Sequence, residues 1–339
     1  MKPSLDIVSV GMVTAVGLDA PSSCAAMRAR LDGFRETRFN GPRGGRLVGA
    51  PVPLPRNWIG EKRLAHMAAG AISEAFKDVP EARHRTALIL CLAEPDRPEM
   101  VASNPENLSR RIVDMIGFKS SYRPRIIRHG RPSGHVALVQ AKRILSSGQA
   151  PFVMIAGVDS YLSTRTILRY VNDNRILAPH NPNGFIPGEA AAAIILTRSS
   201  SAPLRLVGLG LAREPATIYN PEDRPLRGNG MTAAYRAALD ETGIEMSRIG
   251  FRIADLIGES YWFKQSALAN LRLVRGAHAF QDLWSPAESL GNVGAAVVPI
   301  MIGMAWIAVQ KGYAAGNPIL IEASNDDGAC GAAIVAAVH

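Results

Sequence analysis

The feature that most constrains this chain is an internal repeat of pattern rather than of letters. "GHVALVQAKRILSSGQAPFVMIAGVDS" (134–160) and "GAAVVPIMIGMAWIAVQKGYAAGNPILIEASND" (294–326) follow one plan. Each runs from a glycine into an apolar helix, a Gly/Ala/Ser stop, a proline, and a buried strand that ends on an acid. The first closes with "GEAAAAIILT" (188–197), the second with "GACGAAIVAAV" (328–338). Earlier segments pair in the same order. "LDIVSVGMV" (5–13) resembles "LRLVGLGLA" (204–212), the helix at 62–79 parallels that at 231–243, and "TALILCLAE" (86–94) parallels "IADLIGESY" (253–261). Self-similarity of this kind means two copies of one unit packed together. The two halves are expected at 1–200 and 201–339, with the junction near the linker-like "RSSSAPLR" (198–205).

Within each half, strands apolar on both faces alternate with helical patterns. The strands expected in the first half are 5–17 with its turn, 86–94, 152–161 and 189–198; the helices are 22–33, 62–79 and 134–148. Helix 22–33 carries Ser at its start and Gly after its end, and Gly148 stops helix 134–148. Two-faced burial of strands means a sheet covered on both sides. A chain of 339 residues, 47% hydrophobic and only 6% aromatic, has enough apolar mass for that core and suits closely packed helices.

Composition also excludes some functions. The net charge is +9, but the densest basic groups, "RHGR" (128–131) and "ARHRT" (82–86), form no basic stripe with aromatics for stacking, so nucleic-acid binding is not expected. A solvated basic surface, or attraction to an acidic partner, accounts for the charge. Cys24, Cys91 and Cys330 are odd in number and far apart, which argues for a reducing compartment and against disulfides or zinc. His129, His135, His180 and His278 show no ligand spacing, and no metal or other cofactor is expected. The start of the chain lacks the apolar core of a signal peptide. No stretch reaches the ~20 apolar residues of a membrane span. The apolar run 293–309 reads as a buried helix, and the protein is expected to be soluble and cytoplasmic.

On these residues the chain resembles the β-ketoacyl synthases (3-oxoacyl-ACP synthases) of the thiolase superfamily. "VSVGMVTAVGLDAPSSCAAMRARLDG" (8–33) is similar to that family's "ITGMGAVTPLG" opening and first helix. "NGFIPGEAAAAIIL" (183–196) is similar to its "DGFVMGEGAGVLVLE", the most specific match, and "VMIAGVDSY" (153–161) fits its "VMIAGGAEA". "SLGNVGAAVVPIMIGMA" (289–305) is similar to the "GNTSAASIPLAL" run of the acyl-CoA-primed branch and, more loosely, to the "TGHxxGAAG" of the elongating branch. The matches cover most of the chain in the right order. Elongating members are longer, and part of the shortening falls between 161 and 183. The resemblance implies an α/β, thiolase-like fold: a duplicated α/β half stacked as five layers, α-β-α-β-α.

The family's chemistry needs a thiolate, because the acyl carrier must be both nucleophile and leaving group. The thiolate is activated at a helix N-terminus, with backbone N–H groups for the oxyanion. Two His, or one His and one Asn, polarise the malonyl carbonyl. Aligning Ser133-Gly134 with the "SG" of the family's "TACTSG" puts Arg131 on the cysteine position. A shift by one or two offers Pro132 or Ser133. Where the family has "NAHGTST", this chain has "GESYWFKQSA" (258–267), with Glu259 or Ser260 in place of the His. Asn292 in "GNVGAA" matches the family's Asn, and reads equally as a helix cap.

Loss of cooperating members removes most of the rate. A degenerate member, inactive as a ketosynthase, is therefore implied. Its pocket candidates are Arg131, Ser133, Glu259, Ser260, Asn292 and Cys330. Arg131 is expected to fill the vacant pocket against Glu189 or Glu259, or to bind a carboxylate or phosphate. Ser133 with His135 is a poor hydrolase pair, since "GRPSG" is not the nucleophile elbow and neighbours two apart on a helix diverge. Ser133 reads as a helix cap. Cys330 in "SNDDGACGAA" reads as a small residue of a Gly-rich loop at the border of the site, or as a displaced nucleophile that Asp326 and Asp327 would disfavour. Cys91 reads as a buried strand residue.

Inactive members of the family pair with active ones, as the polyketide chain-length factors do. The short thiolase-like proteins encoded beside secretion-system effectors, type VI among them, are also similar. The implied role is a binding or adaptor protein that forms a homodimer, or a heterodimer with a related thiolase-fold chain, or meets an acidic protein such as acyl carrier protein or an effector. The alternatives are an active acyltransferase or 3-oxoacyl-ACP synthase with atypical residues, and a sensor that holds an acyl chain or CoA.

Overall fold

The computed structural model describes residues 5–41, 44–98, 104–118, 120–198, 202–276 and 278–338. Residues 199–201, at the expected junction, lie outside them. The order of elements is β1 (Leu5–Val13), α1 (Ala20–Arg28), β2 (Arg35–Asn40), β3 (Arg46–Gly49), α2 (Gly60–Ala75), β4 (Thr86–Cys91), α3 (Pro105–Met115), β5 (Arg125–Ile127), α4 (Ser133–Ser146), β6 (Phe152–Ser160), α5 (Thr164–Asn172) and β7 (Glu189–Thr197). It continues with β8 (Leu204–Arg213), α6 (Asn229–Thr242), β9 (Phe251–Ala254), α7 (Ser260–Leu273), β10 (Asp282–Trp284), α8 (Ala287–Leu290), α9 (Val297–Gln310), β11 (Ile319–Ser324) and β12 (Ala329–Ala337).

The sheet order is β10-β9-β11-β12-β8-β1-β7-β6-β4-β5. Read outward from the β1–β8 seam, each side has the same sequence of strands. β1, β7, β6, β4 and β5 mirror β8, β12, β11, β9 and β10, and the orientations match. β6–β4 and β4–β5 are parallel, as are β11–β9 and β9–β10, while β7 and β12 run antiparallel to both their neighbours. The duplicated pattern of the sequence is thus a duplicated strand topology.

Side-chain alternation along these strands builds the layers. Ile89 and Cys91 of β4, with Ile194 and Leu196 of β7, point into one central cluster, while Leu88, Leu90 and Ile195 point into an outer one. On the other side, Ile319 and Ile321 of β11 and Val335 of β12 join the central cluster, whereas Leu320, Cys330 and Ile334 face the outer helix α6. Helices α4 and α9 fill the middle and touch strands of both halves; α2 with α3, and α6 with α7, cover the outside. This is the five-layer α-β-α-β-α arrangement. A small residue on the first strand of each half admits its outer helix. A Cβ on Gly11 would lie 2.1 Å from the Ala71 carbonyl oxygen of α2, and one on Gly210 2.0 Å from that of Ala234 of α6.

Boundaries differ from expectation in two instructive places. Helix α1 starts at Ala20 rather than 22, because Asp19 caps it by accepting the Ser22 N–H, and it ends at Arg28, well before Gly33. The expected strand at 253–261 stops at Ala254, and Ser260 already begins α7. Helix α9 is buried along nearly its whole length, as the apolar run 293–309 predicts. Among the described residues no helix is long and apolar enough to cross a membrane.

Candidate functional site

The two halves meet chemically at the N-terminus of α4. The turn before it depends on Gly130, whose φ of +58° suits glycine and whose missing Cβ makes room for Glu94 and Asn325. Gly134 lets α4 close on α9, since a Cβ there would lie 2.5 Å from Val298 Cβ. Between these glycines, Arg131 turns inward and is 1% exposed.

Its partners come from the other half. Arg131 Nη1 donates to Asp255 Oδ2 at 3.1 Å, beyond the end of β9. Nη2 lies 3.6 Å from Asp326 Oδ1, beyond the end of β11. The guanidinium stacks on the Trp262 ring of α7, 3.8 Å from its centroid. The expected partners Glu189 and Glu259 are both taken. Glu189 accepts from Arg63 Nε at 2.8 Å, from the Val52 N–H and from the Ser160 hydroxyl. Glu259 forms a fork–fork pair with Arg175 at 2.7 and 2.8 Å and accepts from the Trp262 indole N–H.

Two further arginines extend the group. Arg175 also donates to Asp326 at 2.5 Å and to the Tyr219 hydroxyl. Arg97 pairs with Glu94 at 2.6 and 2.9 Å and with Asp159 at 2.6 Å, and its guanidinium lies over the Tyr161 ring. Three guanidiniums thus face five carboxylates. Burial alone would raise Asp326, but Arg175, then Arg131 and Arg97, hold it below the usual carboxylate range. Burial raises Asp255 despite Arg131, and raises Asp159 despite Arg97.

The remaining candidates fall into different places. Ser133 does not cap α4: it is the first helical residue, and its hydroxyl accepts the His129 N–H at 2.9 Å, which tightens the turn. The residue before it is Pro132, which has no side-chain acceptor to offer. Ser260 opens α7, its N–H bonded to Asn183 Oδ1. Asn292 is buried, and its Oδ1 accepts the Gly294 N–H at 3.1 Å, so it holds the turn before α9. Ala295 N–H of that turn donates to Asp159 Oδ2, which ties it to the Arg97 group.

Cys330 is not in a loop at the border of the site. It lies in β12, pairs with Ser324 of β11, and packs in the outer cluster with Met231 and Ala234 of α6. Burial, then Glu214, pushes its thiol up, and Asp327 adds to this. Cys91 lies in the central cluster, and burial pushes its thiol up as well. His135 packs on the other face of β12 from Cys330, against Gly331, with Nε2 3.2 Å from the Ile321 carbonyl oxygen. Burial pushes its imidazole down to about 4. Among the described residues no group of three His, Cys, Asp or Glu side chains could hold a metal ion.

Asp255, Trp262, Arg97 and Arg175 were not among the residues singled out by sequence, although all four face or adjoin Arg131's group. A signal for Asp255 exists: "IADLI" carries a lone acid at the end of an apolar strand, where an ionised side chain requires a buried partner.

This duplicated architecture is the thiolase-like fold. Within it the chain is similar to ketosynthases and chain length factors. It superposes on a ketosynthase from Xenorhabdus doucetiae, solved in complex with its chain length factor, with a TM-score of 0.79 at 14% identity over 99% of this chain and 98% of that one. A type II PKS ketosynthase assembly solved with its acyl-carrier protein gives 0.81 at 14% identity over 100% of both chains. A β-ketoacyl synthase from Burkholderia phymatum gives 0.73 at 15% identity, again over 100% of both chains. No sequence-family model and no curated protein sequence matches this chain.

Proposed function

We propose that this chain is a ketosynthase-like scaffold without the Cys/His catalytic set, which acts by binding a partner rather than by carrying an acyl group. The observation that carries this reading is Arg131. At the helix start where the chemistry wants a thiolate stands a buried guanidinium, stacked on Trp262 and bonded to Asp255. It cannot form a thioester. The chain's three thiols, Cys24, Cys91 and Cys330, all sit in apolar clusters. An elevated thiol pKa removes the nucleophile.

The partner is a thiolase-fold chain, a second copy or a relative. The pairing of a ketosynthase with its chain length factor in a similar structure supports this. So does β5, three residues long and, among the described residues, paired with β4 alone at the sheet's end, since an open edge accepts another strand. The charge of +9 also suits an acidic partner such as acyl carrier protein or a secretion effector. The test has two parts. Malonyl and acyl thioesters are incubated with the pure protein and followed for decarboxylation and condensation, and none is expected. Light scattering after size exclusion, alone and mixed with a candidate thiolase-fold partner, is expected to show a dimer. Turnover, or a monomer under every condition, would overturn the proposal.

A further inference from the structure

A second region of the molecule is built for charge and takes no part in the Arg131 group. An open cavity of about 980 Å³ lies between the β2–β3 hairpin, the 51–58 segment and the N-terminus of α2. Five arginines and two glutamates line it. One pair is internal: Arg63 and Glu189 satisfy each other, and the Val52 N–H and Ser160 hydroxyl complete Glu189. Four arginines remain, Arg35, Arg38, Arg46 and Arg56, against the single carboxylate of Glu36. None of the four forms an ion pair among the described residues; Arg46 donates only to the Thr37 carbonyl, at 3.3 Å.

Like charges gathered in one concavity repel each other unless a counter-charge occupies it. The antiparallel pairing of β2 and β3, with an irregularity in register between Glu36 and Asn40, carries the backbones of Arg35, Arg38 and Arg46 on one short ribbon beside the cavity. Helix α2, 16 residues long, opens into the same cavity at Gly60 and has no side-chain cap on its first N–H groups. Those groups and the helix dipole favour an anion there as well. Pro53, Leu54 and Leu162 give the cavity an apolar wall. Its volume falls within the range of small-molecule sites, roughly 300–1,000 Å³.

We infer that this cavity binds a small phosphate-bearing ligand with at least two anionic groups and an apolar or uncharged body. Guanidinium forks engage phosphate oxygens in pairs, and four of them exceed what one carboxylate can satisfy. The inference does not rest on the chain's being inactive, because no residue of the cavity belongs to the Arg131 group.

Pyrophosphate is the probe, titrated into the full chain by calorimetry at low salt. Binding is expected to weaken at least tenfold in Arg38→Gln/Arg56→Gln and to weaken as salt rises. It is expected to be unchanged in Arg236→Gln, an exposed arginine of α6 on the other half of the molecule. Thermal melting of each variant checks that the fold is intact, which removal of exposed arginines leaves unchanged. No binding by the parent protein would overturn the inference. So would an equal loss in Arg236→Gln, which would mark diffuse charge attraction. Binding of a glutamate-rich peptide with none of pyrophosphate would assign the cavity to an acidic protein instead, and would also overturn it.

Discussion

The turns that open the two central helices stand at equivalent places in the duplicated topology, yet are filled in opposite ways. The turn before α4 sends in Arg131, the side chain with the largest charge-bearing group available, and surrounds it with Asp255, Asp326 and Trp262. The turn before α9 is made of small residues: Asn292 caps Gly294, and Gly294 sits so close to Asp159 that a Cβ would lie 1.9 Å from its carboxylate. The scaffold around both turns obeys one plan. The comparison teaches that strand topology and helix packing follow the repeat, whereas the two helix starts have diverged into an ionic plug and a backbone turn.

The largest expected effect breaks the first of these. Arg131→Ala leaves Asp255 buried without its cation, while Asp326 keeps Arg175, and is expected to cost about 3–5 kcal/mol in chemical denaturation. Arg131→Met combined with Asp255→Leu removes both charges at similar volume and is expected to recover much of that loss. Next comes the second turn. Gly294→Ala must adopt a φ of +54° and displace Asp159, and is expected to cost roughly 2–3 kcal/mol.

His135 sharpens the comparison through pH. Its folded value of about 4 lies below the ordinary 6.5, so its contribution is fully present above pH 6.5 and is lost as pH falls toward 4. At pH 5 the loss amounts to about 2 kcal/mol. A His135→Gln variant should show a correspondingly shallower fall in melting temperature between pH 7 and 5; parallel curves would contradict the burial of a neutral imidazole. The smallest effect is Asn292→Ala, about 1 kcal/mol for a lost cap, read as a small shift in the denaturation midpoint.

Much of the fold is legible in the sequence because it rests on alternation and on repeated punctuation. The apolar runs at 86–94 and 189–198 show both faces buried, and Gly148 marks a helix stop. The position of Arg131 follows from the "SG" that opens α4. Its partners do not, because Asp255, Asp326 and Trp262 come from three elements brought together only when the halves pack. Cys330 misled for a related reason. Its flanking "DDGA" reads as a loop, while the strand register that turns it away from His135 is set by β8 and β11 on either side.

The central claim is that no side chain of this protein carries an acyl group. Its most direct test is the intact mass of the full chain after incubation with acyl-CoA and with acyl-loaded carrier protein. The account predicts an unchanged mass. A single stable adduct mapped to any side chain, Cys24, Cys91, Cys330 or Ser133 above all, would contradict it.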